Sequence, residues 1–134
     1  MIPSNSPIPA WHGIVRTRDL AALSALLADD AVFHSPVVHA PQRGRPLVLG
    51  YLGAALQVLG SESFRYVREI EGARDAVLEF EVDLDGVIVN GVDLIRWDEQ
   101  GRIVDFKVMI RPMKAIERVR ERMAAMLEAH ARRG

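Results

Sequence analysis

An aspartate in the middle of an apolar strand is the residue of this sequence most able to do chemistry. Asp93 lies in GVDLIRW, and strand alternation puts it on one face with Gly91, Ile95 and Trp97. A carboxylate in such company must be paired or protonated, because an isolated charge away from water is costly. It is either a general acid or hydrogen-bond donor in a pocket, or half of an ion pair with Lys107 on the next strand, extended by Asp105. Histidines are the second resource. His34 and His39 flank the SPVV segment, and either serves as a base near neutral pH if it faces a pocket. Alternation turns His34 outward if Phe33 and Ser35 face in, whereas His39 lies in a loop of undetermined direction. No pair among His12, His34, His39 and His130 has the spacing of a motif such as H-E-x-x-H, so no metal is expected. Glu79 and Glu81 have the look of paired catalytic carboxylates, but they share the face opposite Asp93 and read as exposed or interface charges.

The elements that must hold Asp93 follow from periodicity. From Phe64 onward the pattern has a period of two, predicting strands at 64–71, 76–84, 87–97 and 102–111 in an antiparallel meander. Asp85-Gly86 is a two-residue hairpin turn that pairs Leu84 with Val87, and DEQG at 98–101 predicts a type I turn with a glycine bulge pairing Asp98 with Arg102. Counted back from these turns, Leu78, Phe80, Asp93, Trp97, Lys107 and Met109 share a face, with Asp93 opposite Lys107. The other face carries Val77, Val92, Leu94, Phe106, Val108 and Ile110. Ahead of the strands, 8–15 predicts a short helix with Pro9 in its first turn. RDLAALSALLADD predicts a second helix with Asp19 at its start, and 31–35 a short strand ended by Pro36. PQRGRP reads as loop before a third helix over 47–59, stopped by Gly60. Pro112 opens a last helix with a stripe of Ile116, Val119, Met123 and Leu127, and Arg132 and Arg133 suit its negative end.

A chain of 134 residues suffices for one sizeable core, so residues 1–134 are read as a single domain with a single site. Lys plus Arg number 17 against 18 Asp plus Glu, a balance that favours neither nucleic acid nor an anionic membrane and suits a neutral or apolar ligand. Zero cysteines exclude disulfides, thiolate metal sites and a cysteine nucleophile, and fit a reducing cytoplasm. No apolar run approaches a membrane span, and MIPSNSPIPAW lacks the basic start and apolar stretch of a secretion signal, so a cytoplasmic location is expected.

The element order, together with RDLAALSALLADDAVFHSPV and GVDLIRWDEQGRIVDFKV, resembles the nuclear transport factor 2 superfamily, with its SnoaL-like polyketide cyclases and steroid Δ-isomerases, over roughly residues 8–111. That resemblance implies an α+β, cystatin-like fold in which a curved antiparallel sheet packs against N-terminal helices as a cone around a small-molecule pocket, with the outer sheet face often forming a dimer. Laid on the isomerases, Asp93 matches the protonated aspartic acid that donates to the substrate oxyanion. Ser35 falls where their proton-abstracting aspartate stands and Trp11 where their oxyanion tyrosine stands, and neither can play that part unchanged. The cyclases' acid–base aspartate at the end of the last strand corresponds approximately to Arg111. The resemblance also sets Tyr51 beside the pocket, within reach of a ligand or Asp93.

The expected site is therefore Asp93 with Ser35 and His39 as catalytic candidates, and Trp11, Phe33, Tyr51, Phe80, Trp97, Lys107 and Met109 as ligand contacts. The expected function is a cofactor-independent isomerase, cyclase or dehydratase on a largely apolar carbonyl compound. The alternatives are a binding domain for a small apolar ligand without chemistry, or a dimeric interaction module with a vestigial cavity. A homodimer through the outer sheet face is expected, dissociated by Val108→Glu.

Overall fold

The computed structural model describes residues 5–133, so residues 1–4 of the expected non-signal start and Gly134 lie outside the described residues, as do the side chains of His130 and Arg133. Helix α1 spans Ile8–Thr17 with proline in its first turn, and buries Ile8, Trp11 and Ile14 on one face. Helix α2, Leu20–Leu26, is capped by the Asp19 carboxylate, which accepts from the Ala22 amide at 3.1 Å. The predicted helix over LADD does not form. The chain turns extended at Leu27, and β1 runs Leu27–His34, because Leu27, Ala31 and Phe33 reach the core as strand residues while Asp29 and Asp30 stay exposed. Gln42 and Arg43, read as loop, form the short strand β2 on β1. Helix α3, Arg45–Leu59, ends at Gly60 and packs on β1.

Strands β3 (Arg65–Glu71), β4 (Asp75–Leu84), β5 (Val87–Trp97) and β6 (Ile103–Arg111) form the meander. The six strands lie in the order β2-β1-β6-β5-β4-β3, with β1 parallel to β6 and all other pairs antiparallel. Asp85 and Gly86 both take positive φ, 52° and 88°, as a two-residue hairpin requires, and Leu84 pairs with Val87. Every β4–β5 pair then follows the expected register, including Leu78 opposite Asp93.

The β5–β6 register departs from expectation by one residue. Asp98 does accept the predicted partner, donating its amide to the Arg102 carbonyl at 2.9 Å, and Trp97 pairs with Ile103. Arg96 next pairs with Asp105, so Val104 is an extra residue, a β-bulge that reverses the facing of everything after it. Asp93 faces Val108 rather than Lys107, and Lys107 sits opposite Leu94. Phe106 and Val108 consequently belong to the core, at 1% and 8% exposure, whereas Met109 is 51% exposed. The apolar gain of burying Phe106 and Val108 in place of Asp105 and Lys107 explains why the bulge is kept.

The last helix, α4, spans Met113–Arg133 and packs on α3, β5 and β6. Its Ala115, Val119 and Met123 join the same buried cluster as Val82, Leu84, Val87 and Val89, and Arg118 donates to the Leu84 carbonyl at 2.7 Å. It therefore closes the inner side of the sheet within one chain, with Ile116 and Leu127 half-buried. The opposite face keeps a depression of about 1010 Å³, lined by outward residues that include Val32, His34, Val77, Leu94, Asp105 and Lys107.

Candidate functional site

Three polar side chains from three elements meet inside the sheet's inner face. The Trp11 indole Nε1 of α1 donates to the Tyr66 hydroxyl of β3 at 2.9 Å, and that hydroxyl donates to Asp93 Oδ2 of β5 at 2.7 Å. The polarity is forced at one end: an indole N–H only donates, so Tyr66 accepts from Trp11 and turns its own proton to the carboxylate. Trp11 is held edge-on against Phe106 at 4.9 Å, and Phe64 stacks on Phe80 at 5.3 Å while meeting Tyr66 edge-on at 5.2 Å. The Phe80 ring occupies the space over Gly91, where an added Cβ would stand 2.5 Å from its Cζ.

This setting decides the electrostatics. Asp93 is 6% exposed, and burial pushes its carboxyl up to about 7, with the Tyr66 hydrogen bond pulling the other way. Burial, followed by the nearby Asp93, holds the Tyr66 phenol far above its ordinary range, so it stays a neutral donor. Asp93 thus changes protonation near neutral pH in a site from which water is largely excluded. The adjoining cavity is about 40 Å³, room for a few waters. Its apolar walls come from Val15 of α1, Leu52, Leu56 and Leu59 of α3, and Phe106 and Val108 of β6.

Of the residues expected in the site, Trp11, Phe80 and Asp93 line this cavity. Lys107 and Met109 do not, because the Val104 bulge turns them to the outer face. Phe33 and Trp97 are core, at 2% and 3% exposure, and Tyr51 stacks on Phe33 at 6.2 Å instead of reaching Asp93. Ser35 caps its own turn, its Oγ accepting from the Val37 and Val38 amides at 3.1 and 3.3 Å. His39 is exposed, and His34 pairs with Asp105 at 2.9 Å on the outer face. Glu79 engages Arg68 and Asn90, and Glu81 engages Arg65. Among the described residues, no three His, Asp or Glu side chains converge as a metal would need, and no helix is long and apolar enough to cross a membrane.

Tyr66 is the residue that sequence reasoning did not single out. The signal was the alternation of Phe64 and Tyr66 entering β3, but no turn chemistry between β3 and β4 fixes their facing. A bulge at Val67, between Tyr66↔Phe80 and Arg68↔Glu79, conceals it further.

A curved mixed sheet packed against helices, with an aspartate on its inner face, defines the cone-shaped α+β, cystatin-like class. The SnoaL-like domain family matches residues 9–106, and the chain belongs to that family; its fold is shared with NTF2-like proteins. The chain is similar to a steroid Δ-isomerase structure from Pseudomonas aeruginosa, with 39% identity over 97% of this chain and 96% of that one and a TM-score of 0.90. It is also similar to an uncharacterised bacterial protein with a cystatin-like fold from Silicibacter pomeroyi, at 37% identity, 93% and 87% coverage, and a TM-score of 0.85. A protein of unknown function from Mesorhizobium loti, 22% identical over 78% and 88% of the two chains with a TM-score of 0.67, shares the fold. No curated protein matches the chain.

Proposed function

We propose that this protein binds a small, largely apolar carbonyl compound with its oxygen toward Asp93, and acts on it as a cofactor-independent isomerase that promotes enolisation. The observation that carries this reading is a single carboxyl, titrating near neutrality, at the wall of a largely apolar cavity. Protonated Asp93 donates a hydrogen bond to the carbonyl oxygen and stabilises the enolate that forms when a water in the cavity takes the α-proton, which that water returns to the isomerised carbon. The likeness to a structure described as a steroid Δ-isomerase supports the same reaction class.

A second reading, binding without chemistry, is favoured by one observation: the Ser35 hydroxyl is occupied by its own turn, and no second carboxyl lines the cavity to take the α-proton. Proton exchange separates the two. A panel of small ketones and enones incubated in deuterium oxide should lose α-protons by NMR with the wild-type chain, and about a hundredfold more slowly with Asp93→Asn. Ligand binding that depends on Asp93 without exchange supports the second reading, and absence of both overturns the pocket function.

A further inference from the structure

Trp11 and Asp93 are the polar groups that, with Tyr66, interrupt an otherwise apolar lining, and both point at one oxygen. That oxygen belongs to the protein itself. A donor-only indole on one side and a carboxyl on the other, 2.9 and 2.7 Å away, form the kind of bracket that would hold the oxygen of a phenol, an enol or a carbonyl compound. Aromatic rings flank the phenol as they would flank such a ligand, Phe64 and His12 both edge-on at 5.2 and 5.3 Å. What remains beside it, about 40 Å³, is too small for a six-membered ring.

We propose that Tyr66 is a built-in occupant of the ligand position: the site receives a phenol, enol or cyclic enone when the Tyr66 ring withdraws and the ligand oxygen takes over its bonds to Trp11 and Asp93. This rests on the reading of Asp93 as the oxygen-binding group and names the ligand class for it. The backbone around Tyr66 suits withdrawal. Among the described residues β3 is an edge strand, the bulge at Val67 interrupts its pairing immediately after Tyr66, and Arg65, Val67 and Arg68 are exposed. On the helix side, the Trp11 bond and the His12–Glu69 pair at 2.7 Å tie α1 to β3, and both must give way or shift for the ring to leave.

The probe is p-cresol, the tyrosine side chain as a free molecule, with toluene as its oxygen-free control. The sequence has two tyrosines, Tyr51 and Tyr66, so a chain labelled with 3-fluorotyrosine gives two fluorine signals assignable by substitution. Adding p-cresol to the 134-residue chain should move the Tyr66 signal and leave Tyr51 in place. Removing the ring by Tyr66→Ala should tighten p-cresol binding by at least about tenfold in calorimetry, toluene should not match it, and adding Asp93→Leu should cancel the gain. Tyr66→Val, with its higher strand preference, replaces the alanine variant if that chain does not melt cooperatively. Binding of p-cresol with the Tyr66 signal unmoved, equal gains for toluene, or no binding to any of the chains overturns the proposal. The two readings fail separately: exchange catalysis with an unmoved Tyr66 removes the plug and keeps the isomerase, whereas a displaced Tyr66 without exchange keeps the plug and removes the isomerase.

Discussion

A buried acid whose proton leaves near neutrality makes both activity and stability functions of pH. The folded chain holds the Asp93 proton up to about 7, while the unfolded chain releases it near the ordinary aspartate value of 3.8. Between those values the folded state binds more protons than the unfolded state, so stability falls as pH rises through this window and the penalty is complete above it. Urea midpoints should therefore drop between about pH 4 and about pH 7 in the wild type, by the equivalent of a few kcal/mol, and Asp93→Asn should flatten that segment of the profile. A wild-type profile identical to that of the asparagine variant would mean that Asp93 is ionised throughout. With protonated Asp93 as the working form, exchange activity should fall as pH rises through about 7, where the stability penalty levels off. The hydrogen-bond polarity set by Trp11 makes a further expectation: Trp11→Phe leaves the Tyr66 oxygen with an unfilled acceptor and should cost about 1 to 3 kcal/mol in chemical denaturation.

At the scale of elements, the site depends on two irregularities in otherwise regular strands. The Val104 bulge aims Phe106 and Val108 at the cavity, and the Val67 bulge lies beside Tyr66. A third device is the missing side chain at Gly91, directly across from Phe80 in the β4–β5 ladder. A methyl there would meet the Phe80 ring at 2.5 Å and the Met109 carbonyl at 2.8 Å, and a backbone atom cannot rotate away. Gly91→Ala should lower stability by about 1 to 3 kcal/mol, read from the urea midpoint, and weaken ligand binding by pushing Phe80 into the cavity. Unchanged stability would show that β5 and β6 can part at this point without cost.

For the whole molecule, the outer face of the sheet is the surface that none of the described helices covers. Val77, Val92 and Leu94 are half-buried there, and the depression also carries Asp30, Asp75 and Asp105 with Arg43, Arg96 and Lys107. A face holding both signs of charge around an apolar strip is suited to a two-fold copy of itself, and a homodimer through this face is the expected assembly. Leu94→Glu should then sediment as a monomer while keeping a cooperative melt. Val108→Glu should instead unfold the chain, because Val108 is 8% exposed and lines the cavity. A wild-type protein that sediments as a monomer at micromolar concentration removes the dimer.

The boundary between what the sequence determined and what the tertiary structure decided runs through particular residues. Local chemistry sufficed wherever a turn or cap was specified by residues within a few positions: Asp85-Gly86 set the entire β4–β5 register and hence the inward facing of Asp93, Asp19 capped α2, and Gly60 ended α3. The element order was enough to indicate the cone-shaped family. Local chemistry failed where two arrangements differ only in long-range burial. The Asp98–Arg102 turn is equally compatible with a β6 that has the bulge and one that lacks it, and only the gain from burying Phe106 and Val108 selects the former. Helical periodicity ran through Leu27, yet Leu27 is fully buried by pairing in β1 beside Ile103, a contact 76 residues away in sequence by subtraction of the two numbers. Tyr66 reaches Asp93 only after β3 folds back on β4, so the side chain that completes the site is visible in the packed molecule and in no local segment of the chain.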